Sequence, residues 1–370
     1  MDKPIAAMIL PPKEGFGPGA TGAVGLLLRR LATRSAAFAP VVVGMALGPR
    51  FADVDFRPAR LSWLPGKLAR RYARGVAAVL APLRPAIIEV HNRPDIALFL
   101  ARRFPATPVC LVLHNDPQDM RTARAPAQRA QLLHRLACVA AVSDWLRGRM
   151  LDGTGGACAV LPNCLDLSEI PPSPPARAPV ILFAGRVVAD KGADAFVAAC
   201  ALALPRLPGW RAEMIGADRF GPHSPDTDFL RALRPRAAAA GIRMHGYQPH
   251  DAVLAAMARA AIVVVPSRWA EPFGLTALEA LACGAALAFA PRGGLPEVAG
   301  EAGLPIDPDD PPALAAALFA LAHDPARRAA LGEAGRARAR AFDAPQAAAA
   351  LDALRTRVLH AWPNRPRPPI

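Results

Sequence analysis

Short apolar runs alternate with longer stretches of helical period along most of this chain. In the first half, continuous apolar runs at 5–10, 40–45, 86–91, 109–114, 139–143 and 158–161 predict strands buried on both faces. The stretches between them, 21–34, 66–83, 94–104, 126–136 and 144–151, predict helices. Such alternation is the pattern of parallel sheets joined by helical crossovers. It breaks at Pro171-Pro172-Ser173-Pro174-Pro175-Ala176-Arg177-Ala178-Pro179. Proline has no backbone N–H and a fixed φ, so this segment reads as a stiff linker. The alternation then resumes, with strands expected at 180–184, 211–215, 242–245, 261–265 and 285–290. Helices are expected at 193–204, 226–240, 250–259, 275–283, 311–322 and 325–341. A last helix, 345–361, precedes the proline-rich residues 363–370, which read as a flexible tail. The economical architecture is α/β: two doubly wound domains, 1–168 and 176–343, facing a central cleft.

Composition supports this. Of 370 residues, 53% are hydrophobic and 20% charged, enough apolar surface for large cores and too much for global disorder. No apolar stretch is long enough to span a bilayer. The run at 5–10 follows Asp2 and Lys3, ends in Pro11-Pro12, and reads as a first strand and not a leader. Cys110, Cys138, Cys158, Cys164, Cys200 and Cys283 show no CxxC spacing, so buried free thiols are expected and no metal site. The net charge of +14 rests on 44 basic residues, of which only Lys3, Lys13, Lys67 and Lys191 are lysines. An arginine-for-lysine bias on that scale reads as a trait of the source genome, so part of the basic excess carries no function. The densest cluster runs from Trp63 to Arg74 and includes Lys67, Arg70 and Arg71. It is either a solvated helix face or a basic helix lying on an anionic membrane. Scattered charge and 6% aromatic residues argue against nucleic acid as a partner.

Candidate chemistry concentrates in two segments. Residues 266–279 read Pro-Ser-Arg-Trp-Ala-Glu-Pro-Phe-Gly-Leu-Thr-Ala-Leu-Glu, directly after an apolar strand. Glu271 falls in the loop and Glu279 about one turn into the following helix. A helix start offers free N–H groups and partial positive charge to a phosphate, and the two carboxylates can accept from the hydroxyls of a sugar or ribose beside it. The second segment, Phe183-Ala184-Gly185-Arg186 to Asp190-Lys191-Gly192, follows the first strand after the linker. Arg186 and Lys191 are a natural pair to neutralise a diphosphate, one a planar fork and the other a movable point charge.

Together these segments resemble glycosyltransferase family 4, whose members have the GT-B fold of two Rossmann-like domains. The resemblance is carried by Gly185-Arg186 with Lys191-Gly192, Pro266-Ser267, Glu271-Pro272-Phe273-Gly274-Leu275, Glu279-Ala280, Gly284, and Gly293-Gly294 with Glu297. Pro162-Asn163 with Asp166 is similar to that family's interdomain segment, with Cys164 where glycine is more usual. The resemblance implies catalytic roles for Arg186, Lys191, Glu271 and His114. It implies donor binding by Gly17, Gly19, Gly185, Phe273, Gly274, Leu275 and Glu279, with the base near Tyr247. It also implies that helix 345–361 packs back onto the first, acceptor-side domain. The implied reaction is retaining transfer of a sugar from a nucleoside-diphosphate donor to a glycan or lipid-linked acceptor, without metal or other cofactor. The setting it suggests is cell-envelope polysaccharide or lipopolysaccharide synthesis, in the cytoplasm or at the inner face of the cytoplasmic membrane. A nucleotide-sugar epimerase, a phosphorylase on the same fold, and a non-catalytic nucleotide-sugar-binding protein remain the alternatives.

In the first domain, Glu14-Gly15-Phe16-Gly17-Pro18-Gly19-Ala20-Thr21-Gly22 leads into a helix and is read as a flexible turn or a loop approaching a phosphate. His91 and His114 end two expected strands, where polar side chains point at a ligand. Asp116 is expected to orient an imidazole or cap the next helix.

Overall fold

The computed structural model describes residues 3–19, 21–174, 176–219 and 224–362; the expected tail, 363–370, lies outside them. The chain divides into two compact units, Met1–Cys164 with Ala344–Ile370, and Leu165–Asp343. The expected boundaries at 168 and 176 are corrected by this division. Residues from Leu165 onward belong to the second unit because the N–H of Leu165 donates to Phe342 O (3.0 Å) and that of Leu167 to Asp343 Oδ1 (3.1 Å).

Among the described residues, the first unit is a seven-stranded parallel sheet. Its elements are β1 (Ile5–Ile9), α1 (Ala23–Arg34), β2 (Ala39–Gly44), β3 (Asp55–Pro58), α2 (Leu68–Leu83), β4 (Ile87–His91), α3 (Pro94–Arg103), β5 (Val109–Leu113), α4 (Pro126–Arg135), β6 (Cys138–Ala141), α5 (Asp144–Leu151) and β7 (Ala159–Val160). The strand order is β3-β2-β1-β4-β5-β6-β7. Every residue of β4 and β5 is buried, as the apolar runs require of central parallel strands.

The second unit contains β8 (Ala178–Ala184), α6 (Ala193–Ala203), β9 (Arg211–Ile215), α7 (Asp228–Ala239), β10 (Ile242–Gly246), α8 (His250–Arg259), β11 (Ala260–Val265), α9 (Leu275–Ala282), β12 (Ala286–Phe289), α10 (Leu295–Ala299), β13 (Gly303–Pro305), α11 (Pro311–His323) and α12 (Pro325–Ala339). Its described sheet is parallel and six-stranded, ordered β10-β9-β8-β11-β12-β13. One sequence expectation fails here. Pro179, assigned to the linker, is the second residue of the central strand β8. It is tolerated because pairing with β9 begins only at Val180, and the register with β11 slips between Ala260 and Ile262.

The last helix, α13 (Ala344–Ala361), belongs to the first unit. Its Ala344, Ala348 and Leu351 join Met8, Leu28 and Leu31 in one apolar cluster. A buried polar latch reinforces it. Arg355 reaches Glu89 of β4 through both prongs of its fork, Nε–Oε1 2.7 Å and Nη2–Oε2 2.8 Å. Its Nη1 also donates to Asp352 (3.0 Å), whose carboxylate accepts from the N–H groups of Ala36 and Ala37 at 2.9 Å each. A glutamate in the middle of an apolar strand is thereby paired and fully hydrogen-bonded, the condition for burying it.

Candidate functional site

In each sheet the strand order reverses once, between β1 and β4 and between β8 and β11. Loops leaving the C-terminal ends of strands at such a reversal are where open α/β sheets bind ligands. In the second unit those loops carry Gly185–Gly192 after β8 and Pro266–Gly274 after β11, the two segments singled out from sequence.

These two loops are fastened together by their backbones. The N–H groups of Arg268 and Trp269 both donate to Asp190 O at 2.9 Å. Ser267 Oγ bridges Asp190 O (3.3 Å) and Trp269 O (3.0 Å). Gly192 has φ +68°, and a Cβ there would lie 1.8 Å from Pro266 O, so only glycine permits this approach. Arg268 anchors the far side, pairing with Asp194 (2.6 Å) and Asp309 (2.7 Å). The result is a rigid platform for Lys191. Its ammonium hydrogen-bonds and ion-pairs with Glu271 and lies 4.7 Å from the centre of the Trp269 ring. One of its three donors serves Glu271, which leaves two for an incoming anion. Glu271 is itself buried, and its carbonyl accepts the Gly294 N–H at 2.7 Å.

Arg186 follows β8 half-buried, and its guanidinium makes no ion pair with any described residue. Gly274 caps α9 with φ 104°, where a Cβ would fall 2.4 Å from Leu295 Cδ2. Leu275 opens the helix, whose first N–H groups have no intrahelical acceptor. Phe273 turns its ring inward onto Phe342, centroids 5.7 Å apart, so only its backbone faces the loop region. Glu279, one turn into α9, is buried and accepts from or pairs with His250 Nε2 at 2.7 Å. Sequence reasoning gave His250 no role. No spacing signal links it to a residue 29 positions away, and Trp269 over Lys191 was missed in the same way. Tyr247 stands apart, half-buried after β10, two strands from β8 along the same sheet edge.

The first unit carries His114, Gly17 and Gly19. His114 directly follows β5, and its Nε2 lies 2.9 Å from Nδ1 of His91, the last residue of β4. One nitrogen must donate and the other accept, which excludes two imidazolium rings. Burial, and then the Arg355 charge, hold His91 at about 3. Burial, and then His91, hold His114 well below the ordinary imidazole range. Both rings are therefore neutral near neutral pH. Asp116 does not touch them. It accepts from Gln118 N (2.8 Å) and pairs with Arg149 (2.7 Å), so of its two expected roles it takes the cap.

The glycine-rich loop departs from its reading. Glu14 Oε1 accepts from the N–H groups of Gly22 (3.0 Å) and Gly25 (3.1 Å), so an internal carboxylate already occupies the start of α1. Burial raises its pKa against those two hydrogen bonds. A Cβ on Gly17 would lie 2.0 Å from Pro49 O, so this glycine answers to a neighbouring loop. Gly19 has φ +71° with open space around it.

Comparison with known proteins bears on both units. Residues 169–338 match the family described as glycosyl transferases group 1. The D-inositol 3-phosphate glycosyltransferase of Thermobispora bispora is 37% identical over 163 residues, 42% of this chain and 38% of that protein. The alignment thus spans well under half of this relative. Among solved structures, sucrose-phosphate synthase from Thermosynechococcus elongatus superposes with a TM-score of 0.81 at 22% identity, covering 97% of this chain and all of that one. Anabaena HepE, solved in complex with UDP and glucose, gives 0.74 at 20% identity, over 96% of this chain and 99% of that one. These likenesses establish the fold class, GT-B with two Rossmann-like units.

Proposed function

We propose that this chain, whose residues 169–338 match the family described as glycosyl transferases group 1, belongs to that family. From that membership we propose that it is a retaining hexosyltransferase, moving a sugar from a nucleoside-diphosphate donor to a glycan or lipid-linked acceptor of the cell envelope. The observation that carries this reading is local to the second unit. At one sheet reversal a positioned lysine, an arginine with no ion pair among the described residues, a helix start and two buried carboxylates come from neighbouring loops and the helix that follows one of them.

The roles follow from chemistry. As the bond between sugar and diphosphate breaks, negative charge grows on the leaving phosphate. Arg186, the free donors of Lys191 and the start of α9 are preorganised to meet that charge, so they act more strongly in the transition state than in the ground state. With Arg186, Lys191 and the start of α9 as positive partners the leaving group needs no metal in this account. Glu271, buried beside Lys191, takes the hydroxyls of the transferred sugar. Glu279, held by His250, takes the ribose hydroxyls, and the base lies toward Tyr247. No carboxylate is assigned as a nucleophile. The acceptor attacks on the face the phosphate leaves, and that phosphate takes its proton. The protein would act in the cytoplasm, drawing on nucleotide sugars there.

A thermal-shift screen against UDP-, GDP-, ADP- and TDP-sugars tests the donor class. The matching donor, at a hundred times its dissociation constant, should add about 2.7 kcal/mol of stability. A folded protein that none of the four stabilises would overturn the reading. Turnover that requires no acceptor would instead indicate an epimerase.

A further inference from the structure

The basic stretch after β3 is absorbed by none of these roles. Residues 56–88 contain seven cations, Arg57, Arg60, Lys67, Arg70, Arg71, Arg74 and Arg84, and no carboxylate. Among the described residues five large apolar side chains are exposed, and three of them, Trp63, Leu64 and Leu68, fall in this stretch. Trp63 is 86% exposed, and Leu64 and Leu68 39% each. An indole left almost wholly in water costs free energy unless something covers it.

Trp63 is not displayed by a loose loop. Ser62 N–H donates to Arg71 O (3.1 Å), Arg71 Nε returns to Ser62 O (2.8 Å), and Arg74 Nη1 holds Pro65 O at 3.1 Å. The loop 61–67 is thus clamped to α2, and Trp63 and Leu64 are held outward beside Lys67 and Arg70. Beside the clamp, an open groove of about 350 Å³ between α2 and α3 is lined by Ala69, Arg70, Ala73, Asp95, Phe99 and Arg102. Two guanidinium groups around an apolar floor, against one carboxylate, suit an anionic headgroup. The position in the sheet is also telling. Because β2 and β3 are parallel, and Ala59 N–H donates to Gly44 O (2.7 Å), the segments 45–50 and 59–67 leave the same sheet edge as His91 and His114.

We propose that Trp63, Leu64 and Leu68, with Lys67, Arg70 and Arg74, form a docking surface for an anionic lipid bilayer. Aromatic and aliphatic groups ringed by cations match the interfacial region, where indole partitions and acidic headgroups collect. A soluble polyanion would use the cations and leave Trp63 uncovered, so the bilayer accounts for more of what is displayed. Resting on the transferase reading, the same surface makes the acceptor a lipid-linked one, delivered at the sheet edge that carries His114.

Vesicle co-sedimentation of the full chain tests this, with neutral phosphatidylcholine vesicles and with vesicles containing one-third phosphatidylglycerol. The wild type should bind the anionic vesicles, less so at high salt, and leave the neutral ones. Lys67→Gln with Arg70→Gln should weaken partitioning about thirtyfold, since each cation near the surface contributes about 1 kcal/mol. Trp63→Ala with Leu64→Ser should weaken it about tenfold. Equal binding to neutral vesicles, no binding to anionic ones, or an unaffected Trp63 variant would overturn the proposal. So would heparin capture as strong as vesicle capture, which would indicate a soluble anionic glycan. Donor-induced stabilisation should be unchanged in both variants. Vesicle docking without any donor response would sink the transferase reading and leave the surface standing; the reverse result would do the opposite.

Discussion

Lys191 concentrates the chemistry of the second unit into one side chain. It is fixed by a loop that only glycine at position 192 allows, it faces Trp269, and it keeps two donors beyond its bond to Glu271. Lys191→Ala should therefore cut kcat by about 10²–10³, the usual loss when one electrostatic contact to a transition state is removed. Its circular dichroism should match the wild type. Transfer at the wild-type rate would remove Lys191 from the mechanism. At this scale the sequence was informative where a motif fixes local geometry: Glu271 in a loop, Glu279 one turn into a helix, glycines at the tight turns. It was silent where partners meet only through the fold, as with His250 on Glu279 or Trp269 over Lys191. Glu14 belongs with these. A carboxylate eight residues before a helix start gives no sign that it will cap that helix.

At the scale of elements, α13 shows how a polar latch fixes a helix to a sheet it is distant from in sequence. Arg355→Met would leave the Glu89 carboxyl buried without its ion-pair partner in the centre of the first sheet. Removing one partner of such a pair typically costs about 3–5 kcal/mol. The denaturation midpoint of the first unit should fall accordingly, as read by urea titration of the full chain. A midpoint within error of the wild type would mean Glu89 finds another partner. The strongly apolar strands β4, β5, β8 and β11 were legible because burial on both faces leaves a continuous run of Val, Ile and Leu. The elements the sequence reading missed lack that signature. β3 is an edge strand, Asp-Phe-Arg-Pro, mostly exposed; β13 is three residues at the other sheet's edge; α10 is five residues long, below any helical period. Proline misled at β8, where it was read as ending the linker and in fact stands within the irregular start of a strand.

For the molecule as a whole, two doubly wound units could be read from the alternation of runs, because each unit buries its own sheet. The net charge was less legible. Arg129, Arg177, Arg328 and Arg338 donate to main-chain carbonyls within the fold, so a part of the +14 is structural. The basic cluster on α2 and its preceding loop is the part that sequence alone left divided between a solvated face and a membrane surface. No helix among the described residues is long and apolar enough to cross a membrane. The central claim is nevertheless confined to the second unit: it holds a nucleoside diphosphate between its cations and Glu279. Calorimetric titration of the preferred nucleoside diphosphate into wild type and Glu279→Gln tests it most directly. Losing a buried carboxylate that accepts from the ribose should weaken binding about ten- to hundredfold, the worth of a charge-assisted hydrogen bond; equal affinity in the two proteins would contradict the account.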